Sequence, residues 1–282
     1  MMLNPQILRN FARTALAEDV GQGDLTTETL LEEHTEAQAV LVTRSRSVCA
    51  GLPLVAYVFE ELDERLHFAY LANEGQDCPA GFELARISGN ARSILTAERT
   101  ALNFLQRLCG VATLTRQYVE AVRFYGTTIL DTRKTTPGQR GLEKYAVRQG
   151  GGVNHRLGLY DGIMIKDNHK HVASLDSASK IAAAVEECKA AYPEVEVEVE
   201  ADTLEEARAA SQGGADYVLL DNMSLSDLQA AVETLRGATK LEASGGITLE
   251  SVSDVAATGV DFISVGALTH SAPAADIGLD FY

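Results

Sequence analysis

The feature that most constrains this chain is an alternation beginning near residue 111, in which short apolar runs of strand length are each followed by helical spacing. The runs fall at 127–130, 162–165, 195–199, 217–220, 240–243 and 262–265. Helices are predicted between most of them, notably at 177–191, 203–212, 226–236 and 249–257. Repeated strand–helix units of this kind demand a parallel sheet, either closed as a barrel or open and doubly wound. No Gly-x-Gly-x-x-Gly follows a strand, so the dinucleotide-binding open sheet loses its best support. Each predicted strand ends instead in polar residues or glycine: Asp131-Thr132-Arg133-Lys134-Thr135-Thr136, Lys166-Asp167-Asn168-His169, Glu200, Asp221-Asn222, Ser244-Gly245-Gly246, and Gly266 leading to His270. In a parallel barrel those ends share one mouth, where barrel enzymes place their chemistry. Six readable strands are fewer than a full barrel has, so an incomplete barrel, or one with unread strands, is expected.

The part before residue 111 has a mixed α/β texture. Ile7, Leu8, Phe11, Ala12, Ala15 and Leu16 predict a helix over 5–16, broken by the Gly21-Gln22-Gly23 loop. Strands are expected at 37–44 and 66–71, and a helix at 52–61 entered through Pro53. Over 91–108, Ile94, Leu95, Ala101, Leu102, Leu105 and Leu108 trace one stripe that leaves Glu98 and Arg99 off it. An N-terminal α/β domain over 1–110 and a barrel domain over 111–270 are therefore expected.

Charge narrows the ligand. Forty acids against 24 bases give 282 residues a formal charge of −16, which opposes nonspecific attraction to nucleic acid or anionic lipid. An anionic ligand needs a local exception, and residues 133–156 supply one: Arg133, Lys134, Arg140, Lys144, Arg148 and Arg156 against the single acid Glu143. A solvated basic helix face would give the same composition. Cys49, Cys78, Cys109 and Cys188 are too far apart in sequence to suggest a zinc clamp or a disulfide framework. No apolar run approaches the roughly 18–20 residues of a membrane span, and Met1-Met2-Leu3-Asn4-Pro5 lacks a basic start before an apolar core, so a cytoplasmic location is expected.

If the strand ends converge, the mouth holds Arg133, Lys134 and Lys166, with His155 and Arg156 in a preceding loop, facing Glu200 and Asp221. Arginine forks match carboxylate or phosphate oxygens two at a time, and lysines add point charge. Two carboxylates at neighbouring strand ends suit Mg²⁺, which takes one or two protein carboxylates plus substrate phosphates. The glycine loops at 244–246 and 266–267 sit where barrels hold phosphate on backbone N–H groups. Plainer readings stand beside these. Lys166 fits a structural ion pair with Asp167 or a Schiff-base nucleophile; Glu196, Glu198 and Glu200, alternating with Val195, Val197 and Val199, fit a half-solvated strand; His155, His169 and His270 fit satisfied polar residues.

Six runs together closely resemble the quinolinate phosphoribosyltransferase family: residues 97–103 (Ala-Glu-Arg-Thr-Ala-Leu-Asn), 131–138 (Asp-Thr-Arg-Lys-Thr-Thr-Pro-Gly), 151–156 (Gly-Gly-Val-Asn-His-Arg), 166–169, 220–222 and 242–246. The likeness extends from Glu18-Asp19-Val20-Gly21 to Asp276-Ile277 and Leu279. The resemblance implies a pentosyltransferase that joins quinolinate to phosphoribosyl pyrophosphate with Mg²⁺, releasing pyrophosphate and CO₂ and leaving nicotinate mononucleotide, on the de novo route to NAD. It implies an N-terminal α/β domain joined by residues 271–282, an open α/β barrel, and a homodimer in which Arg99 reaches the partner's substrate. Carried over by motif, Arg99, Arg133, His155, Arg156 and Lys166 would hold the quinolinate carboxylates. Lys134, Glu200, Asp221, Ser244, Gly245, Gly246, Gly266 and His270 would face the phosphoribosyl donor, with Glu200 and Asp221 on the metal. Lys134, Lys166, Glu200 and Asp221 would carry the catalysis. The repeating strand leaves Glu198 as the alternative to Glu200. Cys109, where serine is common, and Gln139, at a variable place, are the departures. A related enzyme with another acceptor, a Schiff-base aldolase using Lys166 and a noncatalytic binding protein are the rival readings.

Overall fold

A computed structural model describes residues 4–282; Met1 to Leu3, part of the opening read above for a leader, lie outside the described residues. In chain order the elements are α1 (Pro5–Val20), α2 (Leu25–Leu30), β1 (Glu36–Thr43), β2 (Ser47–Val48), α3 (Leu52–Leu62), β3 (His67–Tyr70), β4 (Asp77–Cys78), β5 (Glu83–Asn90) and α4 (Ala91–Val122). They continue as β6 (Thr128–Leu130), α5 (Arg140–Gln149), β7 (Ile163–Ile165), α6 (Asp167–Val172), α7 (Ala178–Ala191), β8 (Val197–Ala201) and α8 (Leu204–Gln212). The last are β9 (Tyr217–Asp221), α9 (Leu225–Leu235), β10 (Lys240–Ser244), α10 (Val252–Ala257), β11 (Phe262–Ser264), α11 (Ala267–His270) and β12 (Ile277–Phe281). They form two compact units. The first takes the chain up to Arg116 with Thr136–Gly151 and Leu268–Tyr282; the second takes Gln117–Thr135 and Gly152–Ala267.

In the first unit a four-stranded antiparallel sheet runs β12-β1-β5-β3. The chain's last strand pairs with β1, Leu41 opposite Leu279, so the C-terminus completes this unit's sheet. Helix α1 starts where the Asn4 side chain accepts the Gln6 N–H at 2.8 Å, and it buries Leu8, Ala12 and Leu16, one side of a four-residue ladder. It runs one turn past the predicted end and stops at Gly21, whose φ is +53°. Glu143, fully buried on α5, accepts Arg107 at 2.6 Å and the Thr136 N–H at 2.9 Å, while Arg107 also donates to the Ala272 carbonyl at 2.9 Å. That network ties α4, α5 and the C-terminal segment together.

The second unit answers the choice between barrel and open sheet. Its six parallel strands lie in the order β6-β11-β10-β9-β8-β7. From β7 to β11 each strand neighbours its successor, and β11 then pairs with β6, the first of the series. A doubly wound sheet reverses direction near its middle; this order does not, and it brings the last strand back to the first, as in a barrel left open between β6 and β7. The outer helices are cut by polar caps: Thr203 accepts the Glu206 N–H and Ser224 the Asp227 N–H, both at 3.2 Å. Helix α9 buries Leu228, Ala231, Val232 and Leu235, and α8 buries Ala207, Ala209 and Ala210. At roughly 1.5–3 kcal/mol per buried Leu or Val side chain, the α9 face supplies much of the drive for its packing.

Candidate active site

All six strands run the same way, so their C-terminal ends form one rim. Asp131 follows β6, Lys166 follows β7, Glu200 lies at the end of β8, Asp221 ends β9, Ser244 ends β10, and Gly266 follows β11. On this rim the Lys166 ammonium lies 3.8 Å from a Glu200 carboxylate oxygen. Burial holds the Glu200 carboxyl above its usual range; the Lys166 charge opposes that rise and the Asp221 charge adds to it. Burial likewise raises Asp221, against its hydrogen bond from Asn222 and the nearby Lys134 charge. Lys134, Lys166, Glu200 and Asp221 therefore act on one another in one local field. A pair of half-buried carboxylates, both resisting ionisation, is a donor set that fits a hard divalent cation.

Beside them lie two arginines. Arg156 donates to the Gly162 carbonyl at 3.0 Å and reaches the Met164 sulfur at 3.5 Å. Burial and then the charge of Arg133 push its guanidinium below the usual arginine value. Arg133 carries a buried Nε with no hydrogen-bond partner. Two like charges brought together, one with an unanswered donor, make a site for a multiply anionic ligand.

Beneath the rim is a layer in which sequence reasoning gave Asp131 and Glu242 no role and Glu198 only the place of an alternative to Glu200. Asp131 is fully buried; its two oxygens accept the His155 N–H at 2.9 Å and the Asn154 amide at 2.6 Å. His155 Nδ1 accepts the Arg156 N–H at 2.8 Å. Its Nε2 lies 2.9 Å from Glu198 and 3.6 Å from Glu242. Glu198 and Glu242 keep only 5% and 1% of their surface exposed. Burial and then the charge of Glu198 push the Glu242 carboxyl up to about 8. Strands β8 and β10 are not neighbours, so these side chains meet only because the sheet curls around an interior. The glutamates at 196, 198 and 200 thus share a face at three depths: Glu196 exposed before the strand begins, Glu198 enclosed, and Glu200 at the rim beside Lys166. His155, expected to hold the diacid, has both ring nitrogens engaged within the protein. The signal for the missed Glu242 is a carboxylate between Leu241 and Ala243, both buried, in a strand that otherwise reads as core.

The glycine loop does more than turn the chain. Gly245 and Gly246 have φ of +99° and +61°, and a Cβ on Gly245 would fall 2.1 Å from Asn222 Oδ1. Asn222 itself takes φ +52°, and its amide donates to Asp221 at 2.7 Å. The loop thus lies directly against the Asp221 end of β9. The remaining predicted residues belong to the first unit: Arg99 is exposed on α4, and His270, exposed at the end of α11, contacts the Ser271 hydroxyl at 2.6 Å. The basic cluster also divides, Arg133, Lys134 and Arg156 in the second unit and Arg140, Lys144 and Arg148 on α5 in the first. The alternative reading of Lys166 as an ion pair with Asp167 gives way to Glu200, while the buried Lys170 takes the structural role, bonding Asp202 at 3.1 Å and Glu206 at 2.7 Å.

Comparison with known proteins agrees with this arrangement. Residues 24–109 match the family model for the quinolinate phosphoribosyl transferase N-terminal domain, and residues 111–280 the C-terminal domain. The chain is 44% identical to a probable nicotinate-nucleotide pyrophosphorylase (carboxylating) of Synechocystis, over 94% of this chain and 89% of that one. It is 42% identical to the probable enzyme of that name from Bacillus subtilis, over 99% and 94%. The solved structure of the nicotinate-nucleotide pyrophosphorylase from Francisella tularensis superposes with a TM-score of 0.93 at 42% identity, covering 99% of this chain and 98% of that one. With both domain models matched end to end, the chain belongs to the quinolinate phosphoribosyltransferase family.

Proposed function

We propose that this chain transfers the phosphoribosyl group of phosphoribosyl pyrophosphate to quinolinate with loss of CO₂, giving nicotinate mononucleotide and pyrophosphate. The observation that carries the reading is one barrel rim holding two kinds of charge: the close Arg133–Arg156 pair with its unanswered Nε, beside Lys166, Glu200, Asp221 and Lys134. The first group fits a flat diacid. The second fits a sugar pyrophosphate.

Arg133, Arg156 and Lys166 grip the two carboxylates and so aim the ring nitrogen at the ribose C1′. Fixing that approach is worth up to roughly 7–11 kcal/mol of a bimolecular barrier. As the C1′–O bond to pyrophosphate breaks, the ribose takes on positive charge, which Glu200 and Asp221 stabilise, while Lys134 stabilises the leaving oxygens. The Gly245–Gly246 backbone, which carries no side chains of its own, would donate its N–H groups to phosphate oxygens. Glu200 and Asp221 would hold Mg²⁺, which supplies charge neutralisation on the donor's phosphates. Nitrogen attack leaves a pyridinium; the bond from C2 to its carboxylate then breaks, the electron pair stays on the ring beside the cationic nitrogen, and C2 takes up a proton as CO₂ departs. No further cofactor is required.

The same reading makes the working form a homodimer in a cytoplasmic setting, with Arg99 of a second copy completing the diacid grip. The exposed position of Arg99, off the apolar stripe of α4, supports it. Among the described residues no helix is long and apolar enough to cross a membrane. The test is incubation of the chain with quinolinate, phosphoribosyl pyrophosphate and Mg²⁺. Nicotinate mononucleotide and CO₂ in equal amounts are expected. A folded chain that makes no product, or that uses nicotinate in preference to quinolinate, overturns the proposal. Mixing Arg99→Ala and Lys166→Ala chains tests the shared site: each is inactive alone, and partial activity returns in mixed dimers.

A further inference from the structure

Resting on that functional reading, we infer that Glu198 and Glu242 are positioning residues that lock His155 in its neutral Nε2–H tautomer, making the imidazole a buried prop under Arg156 rather than a cationic ligand of the diacid. A backbone N–H can only donate, so the Arg156 N–H 2.8 Å from His155 Nδ1 requires a bare lone pair on that nitrogen. The single ring proton then sits on Nε2, which faces Glu198 at 2.9 Å and Glu242 at 3.6 Å. Neither nitrogen is left to face the mouth.

The carboxyl pair explains why the tautomer is stable. Glu198 and Glu242 are both enclosed, and each has a buried Oε1 without a partner. Their Oε2 atoms, 2.9 Å and 3.6 Å from the ring, are placed to accept the Nε2–H. A cationic imidazole would lose the Arg156 bond, because both its nitrogens would then be donors. Asp131 fixes the same loop from the other side by accepting the His155 N–H and the Asn154 amide. The backbone that delivers the Arg156 guanidinium to the rim is therefore set from below, through the ring of His155.

The experiment uses the full chain without substrate. A long-range proton–nitrogen spectrum of histidine-labelled protein at neutral pH reports the state of each ring. The other five histidines, at 34, 67, 169, 171 and 270, are all exposed, so single His→Gln variants at those positions assign His155 by elimination. The expected result is a bare Nδ1 and a protonated Nε2. Two protonated nitrogens, or a bare Nε2 as a metal bound to the His155–Glu198–Glu242 trio would leave, overturns the inference. The kinetic arm compares Glu242→Gln, which keeps a neutral donor, with Glu242→Leu, which removes it. The first should keep KM for quinolinate within about threefold and preserve the tautomer, and the second should raise that KM about tenfold or more with KM for phosphoribosyl pyrophosphate little changed. A fall in kcat alone, or equal rises in both KM values, overturns it. Should the leucine variant not fold, the parent spectrum and the glutamine variant still decide. The spectrum needs no turnover: the predicted tautomer without product overturns only the functional reading, and product with a doubly protonated His155 overturns only this inference.

Discussion

Replacing Gly245 with alanine tests the claim that the loop after β10 is glycine because the end of β9 occupies the space a side chain needs. The added Cβ would meet Asn222 Oδ1 at 2.1 Å, Cγ at 2.5 Å and the backbone N at 3.0 Å, and Gly245 takes φ +99°. An alanine held at positive φ costs about 1–2 kcal/mol. Ejecting the Asn222 amide breaks its 2.7 Å bond to Asp221, worth about 0.5–1.5 kcal/mol. Gly245→Ala should therefore lose roughly 2–3 kcal/mol of stability in urea unfolding. Asn222→Gly should lose only the bond, because glycine accepts the +52° φ that Asn222 holds. In the double variant the bond is lost once, not twice, so its cost should fall short of the sum by about 1 kcal/mol. In activity assays Gly245→Ala should raise KM for phosphoribosyl pyrophosphate and leave KM for quinolinate nearly unchanged. Additive unfolding energies, or a loss below about 0.5 kcal/mol for the single variant, would refute the steric argument.

Three further outcomes follow from the same structure. Glu143→Ala removes the buried carboxylate that answers the Arg107 charge and the Thr136 N–H, so urea unfolding should show a loss of about 3–5 kcal/mol, with Glu143→Gln losing less. Glu242, whose carboxyl is pushed from 4.5 to about 8, keeps a proton in the folded state that the unfolded chain releases. Its contribution to stability should therefore decline as pH rises through that window, by at most ~1.4 kcal/mol per pH unit, and Glu242→Gln should flatten the profile. Arg133→Lys keeps the charge but loses the fork, so KM for quinolinate should rise about tenfold or more while thermal unfolding shifts little; an unchanged KM would show that Arg133 does not grip the diacid.

How far the fold could be read in advance depends on where the relevant contacts lie in the chain. Barrel strands such as Val218 to Leu220 were legible because parallel strands are buried on both faces and so stand out as apolar runs without any partner being known, whereas Val197 to Ala201 showed only as an alternation of valine with glutamate. β12 was not legible: Ile277 to Phe281 becomes a strand only by pairing with β1, more than 230 residues earlier. β5 carries Arg86, Ser88, Gly89 and Asn90 among its eight residues, so its alternation is weak. The apolar stripe predicted α4 only as far as Leu108, but the helix continues through Gly110 to Val122. A Cβ at Gly110 would fall 2.0 Å from the Pro273 carbonyl, so that glycine records a close backbone approach within the first unit rather than a helix end.

The same logic separates the parts of the site that could be read from those that could not. Rim residues announce themselves because each breaks the apolar pattern where a strand stops, as Lys166, Asp221 and Ser244 do. Glu198, Glu242 and Asp131 break it inside or against the barrel, where a charged residue costs several kcal/mol unless it is paired or neutralised. One strand at a time, Glu198 is indistinguishable from a solvated glutamate such as Glu196, which is exposed two residues earlier. What tells them apart is the partner set, and its members come from β8, β10 and the loop around His155, brought together only by the curl of the sheet. An apolar interior would pack this barrel at lower cost. The polar layer that replaces it gives up stability in exchange for fixing Asn154, His155 and the Arg156 backbone from beneath, and that fixation is what a rim of converging cations needs in order to hold its shape before an anion arrives.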